Sequence, residues 1–319
     1  MNVRFFDVLM RSQAASKILN DVGENKLSHA YMIIGADRTA LDSLFDIIGC
    51  AVFCKNGICL KCPECLRVLN RNHGDVIHIE PNPRSISVKE IKALIDNAYL
   101  TPVEGGTRLI FIHGAESMTT EAQNKLLKIL EEPPYGICFV LGVGNEAGVL
   151  DTVKSRSRKI YLDYFSEETL SDALGGGEEA RIAAACAGGM LGRAEAVMND
   201  GKFIETYREV EKLLVDMKKS KDVVKYVNSP LFSQNGINLT LDAAELIMRK
   251  IMFRACGVET ESADVAYDGK FGDFGAEAAA RIISELNDTR ARLEAYCSPS
   301  AAAEKLLFTI LEVKYKCRS

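Results

Sequence analysis

Five short apolar runs, near residues 30–34, 75–79, 108–113, 137–142 and 159–162, alternate with stretches of helical periodicity. Strands that recur only after an intervening helix predict a parallel sheet with helices on both faces. Arg108-Leu-Ile-Phe-Ile-His113 and Ile137-Cys-Phe-Val-Leu141 are almost wholly apolar, as strands covered on both faces are. Between them lies a predicted helix, Thr120-Glu-Ala-Gln-Asn-Lys-Leu-Leu-Lys-Ile-Leu130. Thr119 or Thr120 caps it, and Gln123 follows Thr120 at capping-box spacing. Leu126, Leu127 and Leu130 give it an apolar stripe. Pro133-Pro134 stop it, because proline cannot continue a helix interior. Glu131 and Glu132 then stand at the negative end of the helix dipole, where acids are unfavourable. They are either two solvated acids or residues with a task beyond stability.

The length of 319 residues predicts two or three domains. With 44 acidic and 39 basic residues the formal charge is -5. A protein that holds DNA tightly by itself shows a basic excess, because phosphate neutralisation supplies the affinity. Any nucleic-acid contact here is therefore expected to be shared with partners. The opening Met-Asn-Val-Arg-Phe-Phe-Asp has no apolar core of a secretion signal, and no run of about 18 apolar residues is present. The expectation is a cytoplasmic protein. In that setting ten cysteines predict reduced thiols and a metal site rather than disulfides.

Cys54-x4-Cys59-x2-Cys62-x2-Cys65 is the sharpest chemical signal. Four thiolates this close satisfy a tetrahedral zinc, and a closed set of four is structural rather than catalytic. Gly57 and Pro63 supply turns between the ligands. The rival first ligand is Cys50, one helical turn before Cys54; Cys54 is preferred because the chain turns back there. Buried free cysteines are the plain alternative, disfavoured by Lys55, Lys61 and Arg67 alongside. An iron–sulfur cluster is a further rival, but position 69, where a fourth cysteine would fall, is Leu69. His73 is an outside ligand candidate, with a surface-loop role the expectation.

After the first strand, a nucleotide-binding unit would carry a phosphate loop, G-x-x-x-x-G-K-S/T. The chain reads Gly35-Ala-Asp-Arg-Thr-Ala-Leu-Asp42. Only Gly35 fits; Arg38 and Thr39 are remnants, Ala40 and Leu41 replace the second glycine and the lysine, and Asp37 puts an anion where phosphate would sit. Farther on, Ser155-Arg156-Ser157 lies among Lys154, Arg158 and Lys159, which by spacing alone read as a solvated basic turn.

Asn124-Lys-Leu-Leu-Lys-Ile-Leu-Glu-Glu-Pro-Pro134, followed about twenty residues later by Ser155-Arg-Ser-Arg158, resembles the clamp-loader branch of the AAA+ fold. With the cysteines upstream, the nearest likeness is to the clamp-loader subunits of bacterial DNA polymerase III. Asn72-His73-Gly74-Asp75-Val76 resembles that family's Asn-His-Pro-Asp-Val. The resemblance implies an α/β AAA+-like domain over residues 1–163 with a zinc module at about 50–70. A small helical lid over 164–201 and an all-α collar domain over 202–319 would follow, with amphipathic stretches near 203–217, 241–255, 275–296 and 299–314 and a loop over 256–274.

It implies further that the strand ending at His113-Gly114 has lost the family's magnesium-binding acids, leaving Glu116 as a loop or cap residue. Arg193, in Gly188-Gly-Met-Leu-Gly-Arg-Ala194, would be a relic of the nucleotide-contacting lid arginine. No functional ATP binding is then expected. The family's Ser-Arg-Cys motif carries an arginine into the ATP site of the neighbouring subunit. Here that role would fall to Arg156, supported by Ser155 and by Ser157 in place of the cysteine. The implied partners are an ATPase subunit and a clamp-opening subunit, with the sliding clamp and primed DNA reached through the complex. A stand-alone AAA+ ATPase and a zinc-containing DNA-binding regulator are the competing readings. The first is opposed by residues 35–42, the second by the absence of a basic recognition helix beside the cysteines.

Overall fold

The computed structural model describes residues 5–99, 101–103, 106–257, 271, 274–295 and 297–316. The chain divides into two units, Met1–Phe165 with Met190–Gly192, and Ser166–Gly189 with Arg193–Ser319.

In the first unit all five apolar runs form strands: β1 (Ala30–Ile34), β2 (Val76–Ile79), β3 (Arg108–Ile112), β4 (Ile137–Val143) and β5 (Arg158–Tyr161). Their order is β2-β3-β4-β1-β5, and every pairing is parallel. β3 and β4 are buried along their whole length, which is why they lack a polar alternation. β5 closes one edge and exposes three of its four residues. The helices of this unit are α1 (Phe6–Met10), α2 (Gln13–Gly23), α3 (Arg38–Phe53), α4 (Pro63–Leu69), α5 (Val88–Ala98), α6 (Thr120–Glu131) and α7 (Asp151–Lys154).

Alternate strand residues point to opposite faces, and the core follows that rule. Ile110 and Ile112 pack with Ile91 and Leu94 of α5 and with Leu126 and Ile129 of α6. Phe111, on the other face, stacks on Phe45 of α3 with ring centroids 4.7 Å apart. Gly142 of β4 makes room for that ring: a Cβ there would come within 2.8 Å of Phe45 Cζ.

Ser87 and Glu90 form a capping box at the start of α5. The capping box predicted for α6 is absent. Thr119 is the cap, its hydroxyl accepting from the Ala122 amide at 3.2 Å. Gln123 turns inward and is 3% exposed. Leu127 is only half-buried, and Ala122 and Ile129 join Leu126 and Leu130 on the packed face. A buried ion pair ties β3 to the turn before β2: Arg108 Nη2 lies 3.2 Å from Asp75 Oδ1, and Arg108 Nη1 donates to the Asn97 carbonyl at 2.8 Å.

The elements of the second unit among its described residues are helices: α8 (Glu167–Ala173), α9 (Gly177–Ala187), α10 (Leu191–Asp200, whose first two residues belong to the first unit), α11 (Lys202–Asp216), α12 (Ser220–Val227), α13 (Ile237–Ala255), α14 (Ala276–Glu294) and α15 (Pro299–Lys316). Four of these match the predicted amphipathic stretches; α12 was not predicted. Ser166 caps α8, and Ser298 caps α15 ahead of Pro299. Tyr207, Leu214, Leu241, Ile282 and Leu307 belong to one core. Of the predicted loop over 256–274, all but Cys256, Gly257, Phe271 and Phe274 lie outside the described residues. Among the described residues no helix is long and apolar enough to cross a membrane.

Candidate functional site

The carboxyl ends of β1, β3 and β4 meet at a crevice, the place where open α/β sheets bind ligands. It holds a cavity of about 150 Å³ lined by Gly35, Arg38, Asp42, His113, Glu116 and Gly144, among others. Pockets for drug-sized ligands run to about 300–1,000 Å³. Bare helix N-terminal amides attract phosphate, but here the chain supplies its own anion. Asp37 caps α3, its Oδ1 accepting from the Ala40 amide at 3.2 Å. Asp37 Oδ2 also accepts from the amide of Gly192, which belongs to this unit, at 3.1 Å. Gly192 has to be glycine: a Cβ would stand 2.4 Å from Thr39 Oγ1. Arg38 stays at the surface, 4.0 Å from Asp42.

His113 stands on the crevice floor at the end of β3. Its Nδ1 is 2.6 Å from Asp42 Oδ1 and its Nε2 is 3.0 Å from His78 Nδ1. Burial pushes the His78 pKa down to about 4, so His78 is neutral at pH 7. His113 Nδ1–H donates to the Asp42 carboxylate, and one hydrogen is shared between His113 Nε2 and His78 Nδ1. Burial pushes neighbouring Asp46 up to about 6. Glu116 accepts from the Gly144 amide at 3.1 Å, across the mouth of the crevice. Sequence reading singled out His113 only as a lost acid. Its bond to Asp42 spans 71 positions, and no local pattern signals it.

The loop between α3 and α4, with the first turn of α4, gathers four thiols. The Sγ atoms of Cys54, Cys59, Cys62 and Cys65 all lie within 4.8 Å of one another. Cys50 is not among them; it is buried, with its Sγ 4.0 Å from the Cys65 carbonyl. A tetrahedral zinc at 2.3 Å from each sulfur needs sulfurs about 3.8 Å apart. Cys54 lies 3.6 Å from Cys59 and 3.8 Å from Cys62. The amides of Cys59, Cys62 and Cys65 point at the sulfurs of Cys54, Cys59 and Cys62 at 3.3 to 3.5 Å. Such donors favour the thiolate: hydrogen bonds, first from the Cys59 amide, draw the Cys54 thiol down to about 6. Ile58 and Leu60 adopt left-handed backbone, φ 55° and 58°, which L side chains resist. The loop is bent so that amides and sulfurs converge on one point, and these four residues fit a metal ion such as zinc. His73 is not a surface residue: it is 4% exposed and stacks on Phe53 at 3.9 Å between centroids. Its Nδ1 accepts from the Asp75 amide at 3.2 Å, and its Nε2 is 3.3 Å from Glu64.

The Ser155-Arg156-Ser157 turn follows α7. Both serines anchor it: Ser155 Oγ donates to the Thr152 carbonyl at 3.1 Å and Ser157 Oγ to the Val153 carbonyl at 3.0 Å. Arg156 Nη1 donates to the Thr152 carbonyl at 2.9 Å, and Nη2 meets Glu131 Oε1 at 2.7 Å. The turn is not merely solvated, because each cation has an acid. Lys154 pairs with Asp151, Arg158 with Asp21 and Lys159 with Glu146. Gln123 holds α6 to the segment that enters α7: its Nε2 donates to the Gly148 carbonyl at 3.0 Å and its Oε1 accepts from the Leu150 amide at 2.7 Å. Sequence reading gave Glu131 no partner and Gln123 a place in a capping box; the structure pairs Glu131 with Arg156 and Gln123 with Gly148 and Leu150. Arg193 lies in the second unit, where it lines a separate opening with Cys186, Asp242, Glu245 and Arg249.

Residues 10–166 match the family model described as DNA polymerase III, delta subunit. The N-terminal half of this chain is related to the delta-prime subunits of bacterial DNA polymerase III. The delta-prime subunit of Bacillus subtilis is 31% identical over 160 residues, 49% of this chain and 49% of that protein. The delta-prime subunit of Yersinia pestis is 38% identical over 106 residues, 33% of this chain and 31% of its own length. A gamma subunit of the same polymerase, from Buchnera aphidicola, is 30% identical over 162 residues, 50% of this chain and 44% of its own. The chain thus spans about half the length or less of these relatives. The family-model match, residues 10–166, takes in all five strands, the cysteine loop and the Arg156 turn.

Proposed function

We propose that this chain is a non-catalytic clamp-loader subunit of DNA polymerase III, which helps place the sliding clamp on primed DNA during replication. Its contribution to chemistry is Arg156, delivered across an interface to ATP bound by a neighbouring subunit. The observation that carries the reading is the contrast between two arginine-bearing segments of the sheet unit. At the crevice, Asp37 caps the helix that would receive phosphate, and the cavity is about 150 Å³. At the turn after α7, a guanidinium stands at the surface on two anchored serines. A guanidinium in trans stabilises charge that develops on a transferring phosphate, and its planar fork matches phosphate oxygens.

The four cysteines hold zinc in this reading. When bound, the ion ties the loop after α3 to α4 and does no catalysis, since all four positions are protein ligands. Metal analysis of the purified chain checks this; less than half an equivalent of zinc, with Cys62→Ser no poorer in metal than the parent, would remove it. The lid and collar assignments for residues 164–201 and 202–319, the hetero-oligomer and the cytoplasmic setting belong to the same proposal. Arg193 does no nucleotide chemistry in it.

The test is a reconstituted loader with Arg156→Ala. DNA-stimulated ATP hydrolysis at the site served should fall by about tenfold or more, while the complex still assembles. Unchanged hydrolysis would sink the role in trans. Equilibrium binding of ATP to the isolated chain should show none at micromolar nucleotide; binding there would reopen the stand-alone ATPase reading.

A further inference from the structure

A carboxylate at the last residue of a helix opposes the helix dipole, and Glu131 sits there, at the end of α6. Its carboxylate meets Nη2 of Arg156 at 2.7 Å. We propose that Glu131 is a positioning residue for Arg156: it holds the guanidinium in the orientation in which it meets a phosphate on a neighbouring subunit. This rests on the reading of Arg156 given above.

The geometry suits holding rather than masking. A guanidinium has five N–H donors. Two contacts on Nη1, to the Thr152 carbonyl and to Ser155 Oγ at 3.4 Å, and one on Nη2, to Glu131, leave two donors for an incoming anion. The side chain is 34% exposed. Both ends of the brace are fixed. Pro133 restricts Glu132, the residue that ends the helix after Glu131, and Gln123 ties α6 to the start of α7. Arg158, two residues on, is held differently: its acid, Asp21, is 16% exposed and also accepts from the Tyr31 hydroxyl at 2.6 Å. Arg158 is itself 49% exposed, so the difference lies in its acid, which is less exposed than Glu131 and committed to a second donor. An arginine held in one rotamer before its partner arrives loses less freedom on engaging it, and placement of a charged group within the reacting geometry is felt in turnover.

The experiment uses the whole reconstituted loader with primed DNA, and measures kcat and KM for ATP. Glu131→Ala should lower kcat about fivefold or more with KM within about twofold. Glu131→Gln, whose Oε1 still accepts from Nη2, should recover at least half of the loss. In an Arg156→Ala background Glu131→Ala should cost nothing further. If Arg156→Ala lowers kcat and Glu131→Ala leaves it unchanged or raises it, the positioning role fails and the arginine's role stands. If neither substitution lowers kcat, the reading of Arg156 itself fails. A loss from Glu131→Ala that persists without Arg156 would also overturn the positioning role. Melting of the free variant separates misfolding from mispositioning.

Discussion

Two arginine–carboxylate pairs in the sheet unit have the same chemistry and opposite settings. Arg108 and Asp75 have side chains 6% and 1% exposed, and Asp75 Oδ1 also accepts from the Val103 amide at 2.8 Å. Arg156 and Glu131 are 34% and 50% exposed. The first pair is held on all sides: the guanidinium also donates to the Asn97 and Thr101 carbonyls, and Arg108 is only 5% exposed. The second faces water, so Arg156 can take a further partner at small cost. Burial separates a structural pair from one able to work at an interface.

Breaking the buried pair should give the largest effect. Asp75→Ala takes a buried carboxylate from beside the buried Arg108 guanidinium, and removing one member of such a pair costs about 3–5 kcal/mol. Urea unfolding should show the midpoint falling accordingly, with β2 and β3 losing hydrogen-exchange protection first. A change below about 1 kcal/mol would mean that water or another group reaches Arg108, and the contrast with Arg156 would collapse.

The buried His78–His113 pair should fall between the two extremes. Folded His78 titrates near 4, against about 6.5 for the free side chain. The unfolded chain therefore takes up this proton first as pH drops. The contribution is whole above about pH 6.5 and is lost as pH falls towards 4. Asp46, raised to about 6, acts in the opposite sense: its contribution is present below about 3.8 and is lost as pH rises through 6. Comparing the parent with His78→Gln removes the Asp46 part. Relative to its own value at pH 8, the parent should lose about 2 kcal/mol more than the variant by pH 4.5. Parallel pH profiles for the two would show that His78 is not held neutral by burial.

The same division explains what the sequence revealed. The strands were legible because burial on both faces leaves uninterrupted apolar runs at β3 and β4. Proximity in sequence marked the four cysteines, and the structure also separates Cys54 from Cys50 by bringing only Cys54 to the cluster. The Arg156 turn was legible from the motif around it. Its brace was not, because Glu131 and Arg156 are 25 residues apart and belong to different elements. Gln123 matched a local capping pattern, yet its amide has three partners outside that pattern, at Met118, Gly148 and Leu150. His73 read as a loop residue in a polar stretch, while tertiary packing against Phe53 buries it. Local pattern fixes elements; side-chain partners drawn from distant elements leave no such trace.

The smallest effect should come from the exposed pair, and its smallness is informative. Glu131→Ala removes a carboxylate that is half exposed and opposed to the α6 dipole. The lost Coulomb attraction and the relieved dipole repulsion partly offset each other. An exposed pair of this kind is worth about 0–1 kcal/mol, so the unfolding free energy of the free subunit should move by less than about 1 kcal/mol. Raising salt should shrink even that difference, because exposed charges are screened. Glu131→Ala would then combine near-normal stability with depressed turnover in the assembled loader. A loss of stability as large as that from Asp75→Ala would place Glu131 with the structural pairs, and any fall in turnover would then follow from folding rather than from the placement of Arg156.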